Sequence, residues 1–189
     1  MKEPMNLARL KAWWLAVLLL MAAGAPRALK GETTGEYDVK AAFLYHFAQF
    51  VEWPPEAFHD AKSPLIFCII GEDPFRGALE ESVKGKNVGN RLLQVHHLKG
   101  REQIADCQVL FISSGEKKHL GEDLAGAAGH PVLTVGETEH FAEDGGVIGL
   151  LVENDKVRFE INVQTAGKAK LKISSRLLLL AKTVIGNED

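Results

Sequence analysis

The chain has 189 residues, 46% of them hydrophobic and 25% charged, with a formal net charge of -3 at pH 7. That is enough apolar material for one ordinary domain with a sizeable core. The acidic balance removes any electrostatic reason to bind nucleic acid or an anionic lipid surface.

Lys2, Arg9 and Lys11 precede an apolar run from Ala12 to Ala23, and the small residues Ala23-Gly24-Ala25 close it. This is the anatomy of a secretory signal peptide. As a helix the run would rise about 18 Å, against about 30 Å of bilayer hydrocarbon. An uncleaved anchor reaching Leu29 is the competing reading, and Pro26 and Arg27 interrupt it. Residues 1–25 are expected to leave as the signal peptide, with cleavage after Gly24 or Ala25 and no membrane insertion of the remainder. Losing Lys2, Arg9, Lys11 and Glu3 removes a net +2 and takes the formal charge from -3 to -5.

Residues 26–36 are small, polar and without an apolar period, and read as a flexible N-terminus ahead of one domain over 37–186. From Asp38, a plausible N-cap, Val39, Phe43, Phe47 and Phe50 recur at helical spacing until Pro54-Pro55 stop the helix. Leu44, Tyr45, Val51 and Trp53 widen its apolar surface, so it should be covered on more than one side. Packing on a sheet and a second helix accounts for that width. Contact of Tyr45, Phe50 and Trp53 with a partner protein is the alternative.

A strand is expected at Leu65 to Ile70, a helix at Pro74 to Lys84, a strand at Leu92 to Val95 and a short helix at Arg101 to Ala105. Then come a strand at Gln108 to Ser113, a helix at Glu116 to Ala127 and a strand at Pro131 to Val135. The alternation predicts a mainly parallel α/β sheet with helices on both faces, a Rossmann-like three-layer arrangement. Val147 to Val152 and Lys156 to Ile161 flank Glu153-Asn154-Asp155 as a C-terminal hairpin at the sheet edge. Ser174 or Ser175 should cap a closing helix with Leu177, Leu180, Ala181 and Val184 on one face and Gly186 as its stop.

Two cysteines remain, Cys68 and Cys107, and in an exported chain an even pair reads as a disulfide; two buried thiols are the alternative. The strand order 2-1-3 would make the first and third strands neighbours, which suits a Cα separation of about 4.4–6.8 Å.

Motifs for chemistry are sparse. Gly71-Glu72-Asp73-Pro74 opens a helix where anions bind in such folds, but its two acids would repel a phosphate. Gly85-Lys86 lacks the phosphate-loop frame. His96-His97 are strand neighbours that point to opposite faces, so no metal site is expected. Ser113-Ser114-Gly115 ends a strand where a nucleophile could sit, but GxSxG is absent and no acid or histidine is placed to activate it, so a helix-capping turn is the better account. No nucleophile, base and orienter coincide, so neither an enzyme nor a cofactor is expected. Arg158, Glu160 and Asn162 share the polar face of one strand. With Ser174, Ser175 and Arg176 they are the candidates for a small polar ligand or partner contact, a solvated strand edge being the plainer account.

The stretch Glu36-Tyr37-Asp38-Val39-Lys40-Ala41-Ala42-Phe43-Leu44-Tyr45, continuing through Phe47 to Val51-Glu52-Trp53-Pro54, resembles the opening signature of YfiR-type periplasmic proteins. Val109 to Ser113, Pro131 to Val135, Gly145-Gly146, Arg158 to Asn162 and Ile173 to Leu178 resemble later blocks of that family in order. Cys68 and Cys107 fall where the family has a cysteine pair. The resemblance implies a periplasmic, homodimeric α/β regulator of a Gram-negative bacterium. Its partner would be the periplasmic sensor domain of an inner-membrane diguanylate cyclase, which it represses. The chain departs from the family at His46, where asparagine is commoner, at Gly136-Glu137, where Ser-Asp is frequent, and in lacking a second cysteine pair.

Overall fold

The computed structural model describes residues 34–186; the assigned signal peptide lies outside the described residues. Helix α1 spans Thr34–Phe50. It starts four residues before Asp38, so that residue is not a cap, and residues 34–36, expected to be flexible, are helical. Tyr37, Ala41, Leu44, Ala48 and Val51 recur every three or four residues and are buried, as are Lys40 and Phe47. The buried stripe is thus displaced from the one expected: Val39 is 45% exposed, because burial follows the smaller Ala41 and Ala48, which let the backbone approach the sheet.

The main sheet contains β2 (Leu65–Ile70), β3 (Asn87–Val88), β4 (Arg91–His97), β5 (Val109–Ile112), β6 (Leu133–Gly136), β7 (Ile148–Glu153), β8 (Lys156–Asn162) and β10 (Thr183–Ile185). Their order is β10-β8-β7-β6-β5-β2-β4-β3. Strand β2 lies parallel between β4 and β5, as the 2-1-3 order requires, and β6 and β7 continue the parallel run. The hairpin β7–β8 is antiparallel across Asn154 and Asp155, both at positive φ. A separate antiparallel pair joins β1 (Val51–Glu52) to β9 (Lys172–Ile173).

Side-chain alternation along β2 divides the core in two. Leu65, Phe67 and Ile69 enter one cluster with α1 and with Leu79 and Val83 of α2 (Ala78–Val83). Cys68 and Ile70 enter a second cluster with Ile104 of the 3-10 turn Arg101–Asp106 and with Leu120 and Ala127 of α3 (Leu120–Ala127). The architecture is mixed α/β with a mostly parallel central sheet. Both helices read from sequence over Pro74 to Lys84 and Glu116 to Ala127 are shorter than expected; Ser114–Lys118 is instead a 3-10 turn.

The C-terminus corrects the sequence reading. No closing helix carries Leu180 and Val184 into the core: α5 is one turn, Ser175–Leu178, and Leu179 and Leu180 are 86% and 67% exposed. Thr183, Val184 and Ile185, all three β-branched, form β10 parallel to β8. The hairpin therefore does not close the edge; β10 lies outside it. Helix α4 (Val163–Lys168), capped by Asn162 Oδ1 accepting from Thr165 N at 2.9 Å, was not expected.

Candidate functional site

The disulfide is present. Cys68 in β2 and Cys107, two residues before β5, are bonded with Cα atoms 5.9 Å apart. Both are almost fully buried, at 2% and 1% exposed. Gln108 fixes the adjoining backbone: its Oε1 accepts from Ile66 N at 2.8 Å and its Nε2 donates to Ala57 O at 2.7 Å. Its own carbonyl accepts from Leu133 N at 2.8 Å and from the Trp53 indole N–H at 3.3 Å. One buried residue, through its side chain and its carbonyl together, thus joins β2, β6 and the segment after α1 to the start of β5.

The aromatic residues proposed as a partner surface are half-buried. Tyr45 lies under Lys86 Nζ, 4.3 Å from the ring centroid, and its hydroxyl accepts from Gln49 Nε2 at 3.0 Å. Phe50 packs on the α1 core, and its carbonyl accepts from Ser174 N at 2.9 Å. Ser174 Oγ accepts from Arg176 N at 3.3 Å and caps α5. Phe50, Trp53, Ser174, Ser175 and Arg176 are thereby gathered around the C-terminal end of α1 and the β1–β9 pair.

Arg158 and Glu160 are not part of that group. Phe159 between them enters the α1 core, 5.0 Å from the Phe47 ring, so they point to the opposite face of the sheet. There Glu160 lines a cavity of about 410 Å³ with residues of the β6–β7 loop; neither Arg158 nor residues 174–176 line it.

Sequence reading missed a buried charge cluster that fastens α1 to the sheet. Lys40, 4% exposed, lies 2.6 Å from Glu36 and 2.6 Å from Glu137, the first residue after β6. The Tyr37 hydroxyl donates to Glu137 Oε1 at 3.2 Å, and Lys40 Nζ lies 4.5 Å from the Tyr37 ring centroid. Burial alone would lower the Lys40 pKa, but hydrogen bonds to Glu137 and Glu36 outweigh it and hold it above the ordinary lysine value. The visible signal was a lysine inside the apolar stripe of α1. A second cluster on the other side of the sheet sets Arg101 Nε 2.6 Å from the fully buried Asp123.

His96 and His97 line one cavity of about 310 Å³ beside Cys68. His97 Nε2 lies 2.9 Å from Glu80 Oε1. No group of three histidine, cysteine or acidic side chains that could hold a metal ion exists among the described residues. Among the described residues no helix is long and apolar enough to cross a membrane.

Two solved structures resemble the fold. An ABC domain from Streptococcus pneumonia, solved in complex with L-Trp, matches with a TM-score of 0.54 at 11% identity, over 77% of this chain and 60% of that one. A conserved domain protein from Vibrio cholerae O1 biovar eltor matches with a TM-score of 0.53 at 10% identity, over 78% of this chain and 60% of that one. The chain thus spans three-fifths of the length of either, and at such identity the likeness concerns the fold alone. The model of the YfiR/HmsC-like family, DUF4154, matches residues 37–182, from the first buried aromatic of α1 to the threshold of β10, and the chain belongs to that family.

Proposed function

We propose that this protein is an exported, non-catalytic periplasmic regulator that represses an inner-membrane diguanylate cyclase by binding the cyclase's periplasmic sensor domain. Membership of the YfiR/HmsC-like family over residues 37–182 carries this reading. The Cys68–Cys107 bond fits it, since such bonds persist in oxidising compartments. We read the fold as a Rossmann-like three-layer arrangement, and the protein as a homodimer with its domain over residues 37–186. Repression is then a population shift: a protein that binds the inactive cyclase better than the active one holds it there, up to the limit of that difference in affinity. The polar and aromatic residues around the end of α1, Phe50, Trp53, Ser174 and Arg176, are the contact surface in this reading, with Tyr45 one to two turns back along the helix.

The test is a pull-down with the purified periplasmic domain of a cyclase encoded beside this gene, together with cyclic di-GMP levels after deletion. Capture and a rise in cyclic di-GMP are expected; no capture and unchanged levels would refute the proposal. The cavity that Glu160 lines favours a second reading, a periplasmic receptor for a small ligand serving another sensor or transporter. A ligand raises apparent stability by mass action, so a thermal-shift screen of metabolites separates the two.

A further inference from the structure

Charge is unevenly divided along this chain. From Val163 to Gly186, where the described residues end, there are five cations, Lys168, Lys170, Lys172, Arg176 and Lys182, and no acidic residue. The net charge of -3 therefore divides into +5 on these 24 residues and -8 on the remainder. The overall acidic balance, which argues against an anionic surface, is an average that hides this segment. All five cations are exposed.

The same segment carries the two most exposed large apolar side chains of the described residues, Leu179 at 86% and Leu180 at 67%. Leu177 turns inward, while Arg176, Leu179 and Leu180, three and four residues apart, share the outward face of the turn that α5 begins. Leu179 N donates to Ser175 O at 3.0 Å and Leu180 N to Leu177 O at 3.1 Å, which holds both leucines in place. Isolated exposed leucines are ordinary, but an adjacent pair ringed by cations marks an interaction surface.

Local acids offset part of the charge. Lys170 lies 3.0 Å from Glu56 and Lys182 is held by Glu153, whereas Lys168, Lys172 and Arg176 form no ion pair among the described residues. Lys172 stands opposite Glu52 in the β1–β9 pair. The segment also folds back on itself. Gly186, after β10, packs against Gln164 of α4, the helix that ends at Lys168.

Leucines that stand clear of the surface among lysines suit a lipid surface better than a protein. Protein interfaces are depleted in lysine and draw their binding energy from aromatic and arginine side chains seated in pockets. Neither cavity described above is lined by residues of this segment. At a membrane, leucines enter the boundary of the acyl chains while lysines keep their ammonium groups among the phosphates. We propose that Leu179, Leu180 and the cations around them dock this protein peripherally on an anionic phospholipid surface. The inference goes beyond the regulator reading and requires no spanning helix.

The test is co-sedimentation of the purified, oxidised protein with vesicles of phosphatidylcholine alone and of an equal mixture of phosphatidylcholine and phosphatidylglycerol, at low and high salt. The protein is used without residues 1–25, whose own apolar run would bind lipid, and every described residue is kept. Binding to the anionic vesicles, weakened by salt, and little to the neutral ones is expected. Leu179→Ser with Leu180→Ser should weaken it at least about tenfold, and Arg176→Gln about fivefold. Melting temperatures should stay unchanged, because these side chains are exposed. Lipid-borne spin labels should broaden the amide signals from Leu179 to Lys182 most. No vesicle binding, equal binding to neutral vesicles, equal affinity in the leucine double variant, or broadening centred elsewhere would each overturn the proposal. Absent vesicle binding together with loss of cyclase-domain capture in the double variant would assign this face to a protein instead. The vesicles contain no cyclase, so failure here leaves the regulator reading standing.

Discussion

Reducing the Cys68–Cys107 bond perturbs the protein at the centre of its sheet, and the size of the effect follows from the loop it closes. The bonded residues are 39 apart in sequence, for which the chain-entropy relation gives about 4 kcal/mol at 25 °C. For a domain of this size each kcal/mol moves the melting temperature by about 2–4 °C, so about 8–16 °C should be lost. Reduction is the cleanest perturbation because it keeps both sulfur atoms in place. Cys107→Ser adds a buried hydroxyl at a site 1% exposed and should cost about 1–3 kcal/mol more. The assay is urea denaturation of the purified, oxidised protein with and without dithiothreitol, followed by circular dichroism. A difference below about 1 kcal/mol would refute the chain-entropy account.

Lys40→Met should destabilise the protein by about 3–5 kcal/mol in chemical denaturation, since it strands Glu36 and Glu137 without their cation. The raised Lys40 pKa also sets a pH dependence. Its stabilisation is fully present below the ordinary lysine value and is lost as pH rises through the higher folded value, so wild-type melting temperature should fall there. Lys40→Met should lack that part of the fall. Asp123 acts in the opposite sense: burial raises its pKa despite Arg101, so wild type should gain stability from this group as pH falls through the raised value. Asp123→Asn should abolish that gain in a pH series of urea midpoints. Gly146→Ala should cost about 1–3 kcal/mol by urea titration, because the new methyl group collides with the Phe141 ring.

Much of the parallel sheet was legible because its strands are short apolar runs between turn residues, and the order of β4, β2 and β5 followed from right-handed connections. The C-terminus was not, because Leu177, Leu180, Ala181 and Val184 have helical spacing while the backbone pairing that decides the matter lies 23 residues away in β8. Spacing records a local preference, and the free edge of β8 overrode it. Leu180→Lys tests this directly: with the residue 67% exposed, urea stability should change by no more than about 0.5 kcal/mol, whereas a core leucine would cost several times that. The candidate site was legible only in parts. Ser174 and Arg176 were found as a cap and its helix, but their meeting with Phe50 depends on β1 and β9, pairs of two residues too short to leave a period. The Glu160 cavity depends on a loop whose path is set by Phe141, a contact over which the sequence pattern is silent.

The position of the disulfide also restricts how a redox signal could act. Strands β2 and β5 are interior, with neighbours on both sides and core clusters on both faces. Breaking a bond between them frees no surface loop, so reduction can act only by lowering the stability of the whole domain. With about 4 kcal/mol removed, a domain that begins near the lower end of the usual range, about 5 kcal/mol, retains about 1 kcal/mol and has about one molecule in six unfolded. One that begins above about 8 kcal/mol retains about 4 kcal/mol and stays more than about 99% folded. If the proposed regulator role holds, the oxidised stability in water therefore decides whether reduction can act on a bound partner by unfolding this chain. A value well above about 8 kcal/mol would exclude that route, whatever the bond contributes to the folding reaction itself.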